Sequence, residues 1–303
     1  IYSTLEKSNP SKMVIDAGYH LGSSPFWKYF GEDEDLILKN YGIELLRFFD
    51  RYLKDIENGI DTEPPIYIYN MNGDGWRFEN EWPLARQVMT SYFFRTDNVL
   101  GKTQSAPGTD HYKVKFEHDS RWKSEWGDDL VSRWVMETPK DLPIRNPMEK
   151  QTLMYTTEAL SAPLEVTGHP IVDLWVSSTA PNGDFFVYLE DVDPDGQSIL
   201  VTEGLLRAGF ATLRNNNLII DGGKTNIDVT PDLPWHGYEK NHYNERPFEN
   251  GTVVHLKFDL LPTSWVFRKG HKIRVSIACT DWPTFEILPQ LSPGNKPKDN
   301  RNI

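Results

Sequence analysis

The feature that most constrains this chain is a change of hydrophobic pattern near residue 62. Upstream of it, Lys12-Met13-Val14-Ile15 is a short β-prone run that ends in a polar loop carrying His20, Gly22, Ser23 and Ser24. Glu32, Asp33, Glu34 and Asp35 then open a helical stretch, and their negative charge suits the positive end of a helix dipole. Tyr41, Leu45, Phe48, Phe49 and Tyr52 recur at helical spacing, and Gly59 is the expected stop. Residues 12–60 therefore read as strand, loop and long amphipathic helix, a piece of an α/β layer rather than a domain of its own.

Downstream of Glu63-Pro64-Pro65 the pattern becomes β. Ile66–Met71 reads as a strand closed by the turn signal Asn72-Gly73-Asp74-Gly75. Further β runs are Thr90–Arg95, Thr152–Thr156, Ile171–Ser178, Asp184–Leu189, Ile199–Leu206, Val253–Leu260 and Lys272–Cys279. No long helical face occurs between 64 and 290. Short strands separated by Gly, Pro and Asn predict a β-sandwich or jelly roll. The polar, poorly patterned stretches 101–150 and 213–250 are expected as extended loops over it, and the tail after Ser292 as loose chain.

Composition excludes several partners. The formal charge of -12 argues against nucleic acid or an anionic membrane surface. No apolar run approaches the roughly 18 residues that cross a bilayer. The single cysteine, Cys279, excludes an internal disulfide and a multi-cysteine metal site, but leaves the compartment open. The chain begins at Ile1 rather than Met and carries no charged-then-apolar leader, so it is expected to be a fragment or a processed chain.

Few residues carry a chemical signal. His20, on a loop between a strand and a helix, stands where an α/β-hydrolase places its catalytic base, and a surface loop histidine is the plain alternative. Asp191-Val192-Asp193-Pro194-Asp195-Gly196 has the opening of an EF-hand loop. Its twelfth position would be Thr202 instead of Glu and its flanks read as strands, so a hairpin turn with solvated aspartates is expected. His271 is read as a turn residue tying down backbone at the entry to a strand. His111, His118, His169, His236, His242 and His255 show no metal-ligand spacing and are read as surface residues. The Trp residues at 122, 126, 134, 235 and 265 suit core or loop cover, with a sugar-binding face as the alternative. No cofactor or metal is predicted.

Several ordered segments carry a family resemblance. Lys12–His20 resembles the Lys-Leu-Val-Ile-Gly-Pro-Trp-x-His segment of the cocaine-esterase (CocE/NonD) family, with Asp16, Ala17 and Gly18 in place of Gly, Pro and Trp. That family includes glutaryl acylases, α-amino-acid ester hydrolases and X-Pro dipeptidyl-peptidases. Leu46–Lys54 with Asn58-Gly59-Ile60 is similar to the family's last catalytic-domain helix. Gly75-Trp76-Arg77 and Glu81-Trp82-Pro83 resemble its entry into the C-terminal domain. Leu153–Leu160, Glu165–Gly168, Asp184-Phe185, Gly204–Ala208, Leu260–Ser264, Gly270–Arg274 and Trp282-Pro283 follow in the family's order.

The resemblance implies a mainly β chain. Residues 1–62 would be a C-terminal remnant of an α/β-hydrolase catalytic domain, and 64–303 a jelly-roll (galactose-binding-like) domain of the X-Pro dipeptidyl-peptidase type. It implies that His20 is the triad base of a serine hydrolase. The chain has no Gly-x-Ser-x-Gly, and Ser23 and Ser24 are too close in the loop to serve as the nucleophile of His20. The expected partner is therefore a missing N-terminal catalytic part of the same enzyme, bearing the nucleophile and triad Asp. The substrate class is a small acyl ester, amide or X-Pro peptide, and a homo-oligomer is left open. The competing reading is a free-standing jelly-roll module that binds carbohydrate or protein. A third is a subunit that completes a hydrolase from a separate chain.

Overall fold

The computed structural model describes residues 9–15, 34–116, 151–214, 217–220, 225–228, 232–281 and Phe285. It is mainly β, with several sheets and one long helix among the described residues. The chain divides into two compact units: the first comprises 1–88, 131–142 and 264–266, and the second the remainder.

In the first unit, strand β1 (Met13–Ile15) is followed by helix α1 (Glu34–Lys54) and the hairpin β2 (Ile66–Asn70) to β3 (Gly75–Glu79). β1 runs parallel to β2 with Met13 opposite Ile66, and β3 pairs antiparallel with Ile66 opposite Glu79. Ile60, Ile66, Ile68 and Trp265 are the fully buried side chains here. The other face of β2 and β3 is aromatic. Tyr67 stacks between Trp76 and Phe78 at centroid separations of 4.6 and 4.5 Å. Segment 264–266 extends this sheet, because Met71 N–H donates to Ser264 O and Val266 N–H to Met71 O, each at 2.9 Å. The turn needs glycine at 73, where a Cβ would lie 2.7 Å from Val266 Cγ2.

The second unit contains β4 (Phe93–Arg95), β5 (Val99–Gly101), β6 (Leu153–Thr156), β7 (Leu164–Gly168), β8 (Ile171–Val176), β9 (Asp184–Val192) and β10 (Ser198–Arg207). It continues with β11 (Leu213–Arg214), β12 (Asn217–Ile220), β13 (Thr225–Asp228), β14 (Trp235–His236) and β15 (Val254–Asp259). Strand β16 (Thr263–Phe267) straddles the two units, and β17 (Lys272–Ala278) ends the series. Its main sheet has six strands in the order β10-β9-β17-β6-β5-β4. β8 and β15 form a separate antiparallel pair, with Val172, Leu174, Leu256 and Phe258 turned inward. All nine residues of β9 are buried, so both faces of the sheet are covered there. Glycine at 204 permits a close approach, since a Cβ would meet Asp259 O at 2.9 Å.

Three details depart from the sequence reading. Segment 213–250 is not simply extended loop: β11 pairs with β14, and β12 with β13, as short ribbons. β3, β5, β7 and β16 lie outside the expected strand runs. The helix stops at Lys54 rather than Gly59, because Asp55 takes a left-handed φ of 57° and Ile56 N–H turns back to Asp50 O at 3.0 Å.

Candidate functional site

Segment 16–33, which holds His20, Ser23 and Ser24, lies outside the described residues; both elements that flank it are described. Lys12, immediately before β1, places Nζ 3.0 Å from Glu63 Oε2. The other oxygen of Glu63 accepts a hydrogen bond from the Arg47 guanidinium, on α1. Arg47 also reaches Glu44 Oε1 at 2.8 Å. Arg47 first, and then Lys12, hold the Glu63 carboxyl below its ordinary range, while Glu63 raises Arg47. One turn along the helix, Arg51 Nε donates to Asp61 Oδ2 at 3.0 Å and lowers that carboxyl in turn. Asn58 completes the junction by donating to Arg47 O at 2.7 Å, and its own carbonyl receives Ile60 N–H at 3.2 Å. The sequence reading treated Glu63 only as punctuation before Pro64-Pro65. No local pattern announces a carboxylate whose two cationic partners lie 51 and 16 residues away.

α1 presents an apolar stripe to solvent. Leu45, Leu46, Phe49, Tyr52 and Leu53 are all exposed, Leu53 at 76%. Leu45, Phe49 and Tyr52, like Leu46, Phe49 and Leu53, recur at spacings of three and four and so share one side of the helix.

The second unit holds a histidine–aspartate pair. His271 Nδ1 lies 2.8 Å from Asp191 Oδ1, and the Asp191 side chain is 2% exposed. Asp191 thus faces inward, away from the turn in which an EF-hand reading would enlist it. In that turn Asp193 Oδ1 accepts Gln197 N–H at 2.8 Å and Gly196 adopts a φ of 86°, which is hairpin capping. Among the described residues there is no group of three or more His, Cys, Asp or Glu that could hold a metal ion.

Three other histidines are engaged locally, and His118 lies outside the described residues. His169 pairs with Asp259 at 3.1 Å, and His255 Nε2 with Asp173 at 2.7 Å while its ring stacks on Trp175 at 4.4 Å. His236 is no plain surface residue: it is half-buried, with Nδ1 2.8 Å from Phe210 O and Nε2 2.9 Å from Lys257 O. Of the tryptophans, Trp265 is core, Trp235 is half-buried, and 122, 126 and 134 lie outside the described residues. Burial pushes the Cys279 thiol up to about 12, which leaves it inert as a nucleophile. No described helix is long and apolar enough to cross a membrane.

Comparison with known proteins places this architecture. Residues 58–300 match the family model described as the X-Pro dipeptidyl-peptidase C-terminal non-catalytic domain. The chain belongs to that family. A Mycobacterium bovis protein named as a serine esterase is 37% identical over 258 residues, 82% of this chain and 38% of its own length. The cocaine esterase of Rhodococcus sp. is 27% identical over 248 residues, covering 79% of this chain and 38% of that protein. A CocE/NonD family hydrolase from Staphylococcus aureus shares the fold with a TM-score of 0.59 at 18% identity, over 97% of this chain and 45% of that one. The chain thus spans little more than a third of the curated relatives it matches. The X-Pro dipeptidyl-peptidase C-terminal domain match takes in β2 through β17, and β1 and all of α1 lie before it.

Proposed function

We propose that this chain is the C-terminal portion of a serine hydrolase that cleaves acyl ester, amide or X-Pro peptide bonds. In this reading residues 1–62 close an α/β-hydrolase catalytic domain, and 64–303 form a jelly-roll domain that packs on it. His20 is the triad base. It takes the proton of a serine carried by the N-terminal catalytic part and returns it to the leaving group, with an Asp of that part orienting the ring. The N-terminal part is the partner, and this polypeptide by itself hydrolyses nothing.

The observation that carries the reading is the match to relatives named as esterases over most of this chain but only 38% of their length. The exposed stripe on α1 supports it. A helix that offers Leu45, Phe49 and Leu53 to water is explained by a missing layer, and the N-terminal catalytic part is the occupant we assign. The order strand, His-bearing loop, helix agrees with the base position of such an enzyme.

The test is made on the full-length polypeptide. His20→Ala is expected to lower ester turnover by about a thousandfold or more, and unchanged turnover overturns the assignment. A serine-directed fluorophosphonate should label the full-length protein and leave the 303-residue chain unlabelled.

A further inference from the structure

We infer that Asn250 is a site of spontaneous covalent modification: deamidation through a succinimide formed with Gly251. The chain contains four Asn-Gly pairs, with the asparagine at 58, 72, 182 and 250. Such a pair is chemically predisposed, because glycine has no Cβ to hinder its amide nitrogen as that nitrogen turns towards the preceding side chain. The reaction also needs an asparagine side chain free to rotate, a backbone that can follow, and access for water. The fold meets these needs at one pair and denies them at three.

Asn58 Nδ2 donates to Arg47 O at 2.7 Å, and its Oδ1 accepts Ile60 N–H at 3.2 Å. Asn72 Nδ2 donates to Val266 O at 2.9 Å, and the adjoining Gly73 is packed against the Val266 side chain. Asn182 is wholly buried and bonded at both ends of its amide. Asn250 differs on each count. It and Gly251 are exposed, a Cβ on Gly251 would meet nothing within 4 Å, and no bond ties the Asn250 side chain to any described residue. Like Asn72, Asn250 holds a left-handed φ, here 58°, so rotation away from it relieves backbone strain. Gly251 N–H is restrained by Phe248 O at 3.2 Å, the long end of the range for such a bond.

The step balances with water as the only co-reactant. The Gly251 nitrogen gives its proton to water and attacks Asn250 Cγ; a new N–C bond closes the ring, and the side-chain nitrogen takes up a proton and leaves as ammonia. Water then adds to one ring carbonyl and breaks its bond to the Gly251 nitrogen. Opening at Cγ leaves an aspartate, and opening at the main-chain carbonyl leaves an isoaspartate. Either product carries a negative charge beside Glu249, and isoaspartate also adds one carbon to the main chain. The turn runs between Phe248, buried in the core, and β15, whose Val254 is paired with Val176. The added carbon therefore has to be taken up within 249–253, where Thr252 N–H and Oγ1 both donate to Glu249 O. Modification thus loosens the entry to β15 as the protein ages.

The test ages the full-length polypeptide in mildly alkaline buffer, native and in guanidinium chloride. Each Asn-Gly peptide is followed by mass spectrometry and by methylation with an isoaspartyl methyltransferase. In the native protein the peptide of Asn250 is expected to deamidate about tenfold or more faster than those of Asn58, Asn72 and Asn182, which have to break their bonds first. In denaturant the four rates should converge to within about threefold. Asn250→Gln should remove the fast methyl-accepting component. A native rate at Asn58 or Asn72 equal to that at Asn250 overturns the inference. So does a native Asn250 that stays intact while its unfolded counterpart reacts. A rate ratio unchanged in denaturant overturns it too, since selection by the fold would then be absent.

Discussion

His271 Nδ1 sits 2.8 Å from the carboxylate of Asp191, a side chain that is almost wholly buried in strand β9. The pair joins the turn before β17 to its neighbour in the sheet. His271→Leu would leave that carboxylate without its imidazole partner. The expected loss is about 2–3 kcal/mol, the scale for a hydrogen bond to a charged group. Urea unfolding measures it, and the ester turnover proposed for the full-length polypeptide should stay within about twofold at a temperature where both proteins are folded.

Asn182 is fully buried and organises three segments. Its carbonyl receives the amides of Gly183 and Gly209 at 2.8 and 3.1 Å, and its NH2 reaches Tyr243 Oη at 2.9 Å and Asn244 O at 3.3 Å. Asn182→Asp turns the donor into an acceptor aimed at a carbonyl oxygen. A loss of about 3 kcal/mol or more is expected, with hydrogen exchange rising first in 208–210 and 243–245.

Glu79 gives a pH dependence with a definite sign. Arg86 first, and Arg77 after it, hold its carboxyl below the ordinary range. A carboxyl lowered on folding stabilises above its unfolded pKa of about 4.3, and that contribution is lost as pH falls towards the folded value. Melting temperatures followed from about pH 6 down to about pH 3 should therefore fall less steeply in Glu79→Gln than in the parent. Equal slopes would show that Glu79 is not among the groups responsible.

The stripe on α1 predicts behaviour in solution. The 303-residue chain should bind a hydrophobic dye and self-associate, and Phe49→Glu with Leu53→Glu should suppress both. In the full-length polypeptide, where the proposed catalytic part would cover the stripe, the same substitutions should lower the yield of folded protein. Equal yields from parent and variant would count against the assigned occupant.

Much of this was legible in the sequence because it rests on local pattern. The switch from a helical period to a β period near residue 62 depends on neighbours, and the alternation of Val253–Leu260 gave β15 with Leu256 and Phe258 inward. The turn at Asn72-Gly73 was readable for the same reason. What escaped depends on long-range packing. β9 is buried on both faces, so Asp191, read as a solvated aspartate of the hairpin turn, is interior. The short ribbons within 213–250 are held by partners up to 23 residues apart, too far for any window to register. The contacts of Glu63 with Lys12 and Arg47 belong to the same class. His20, proposed from its setting and the family segment around it, lies outside the described residues.

The strand order of the main sheet has a consequence for synthesis. β17 is the last strand of the described chain, yet it lies between β9 and β6 and pairs with both. Until residues 272–278 have left the ribosome, β10-β9 and β6-β5-β4 are two separate pieces, each with an open hydrogen-bonding edge waiting for the same insert. Assembly of this sheet is therefore postponed until β17 has been made. A stop codon before residue 272 would not trim the sheet but leave it split, with two sticky borders exposed to whatever strand arrives next.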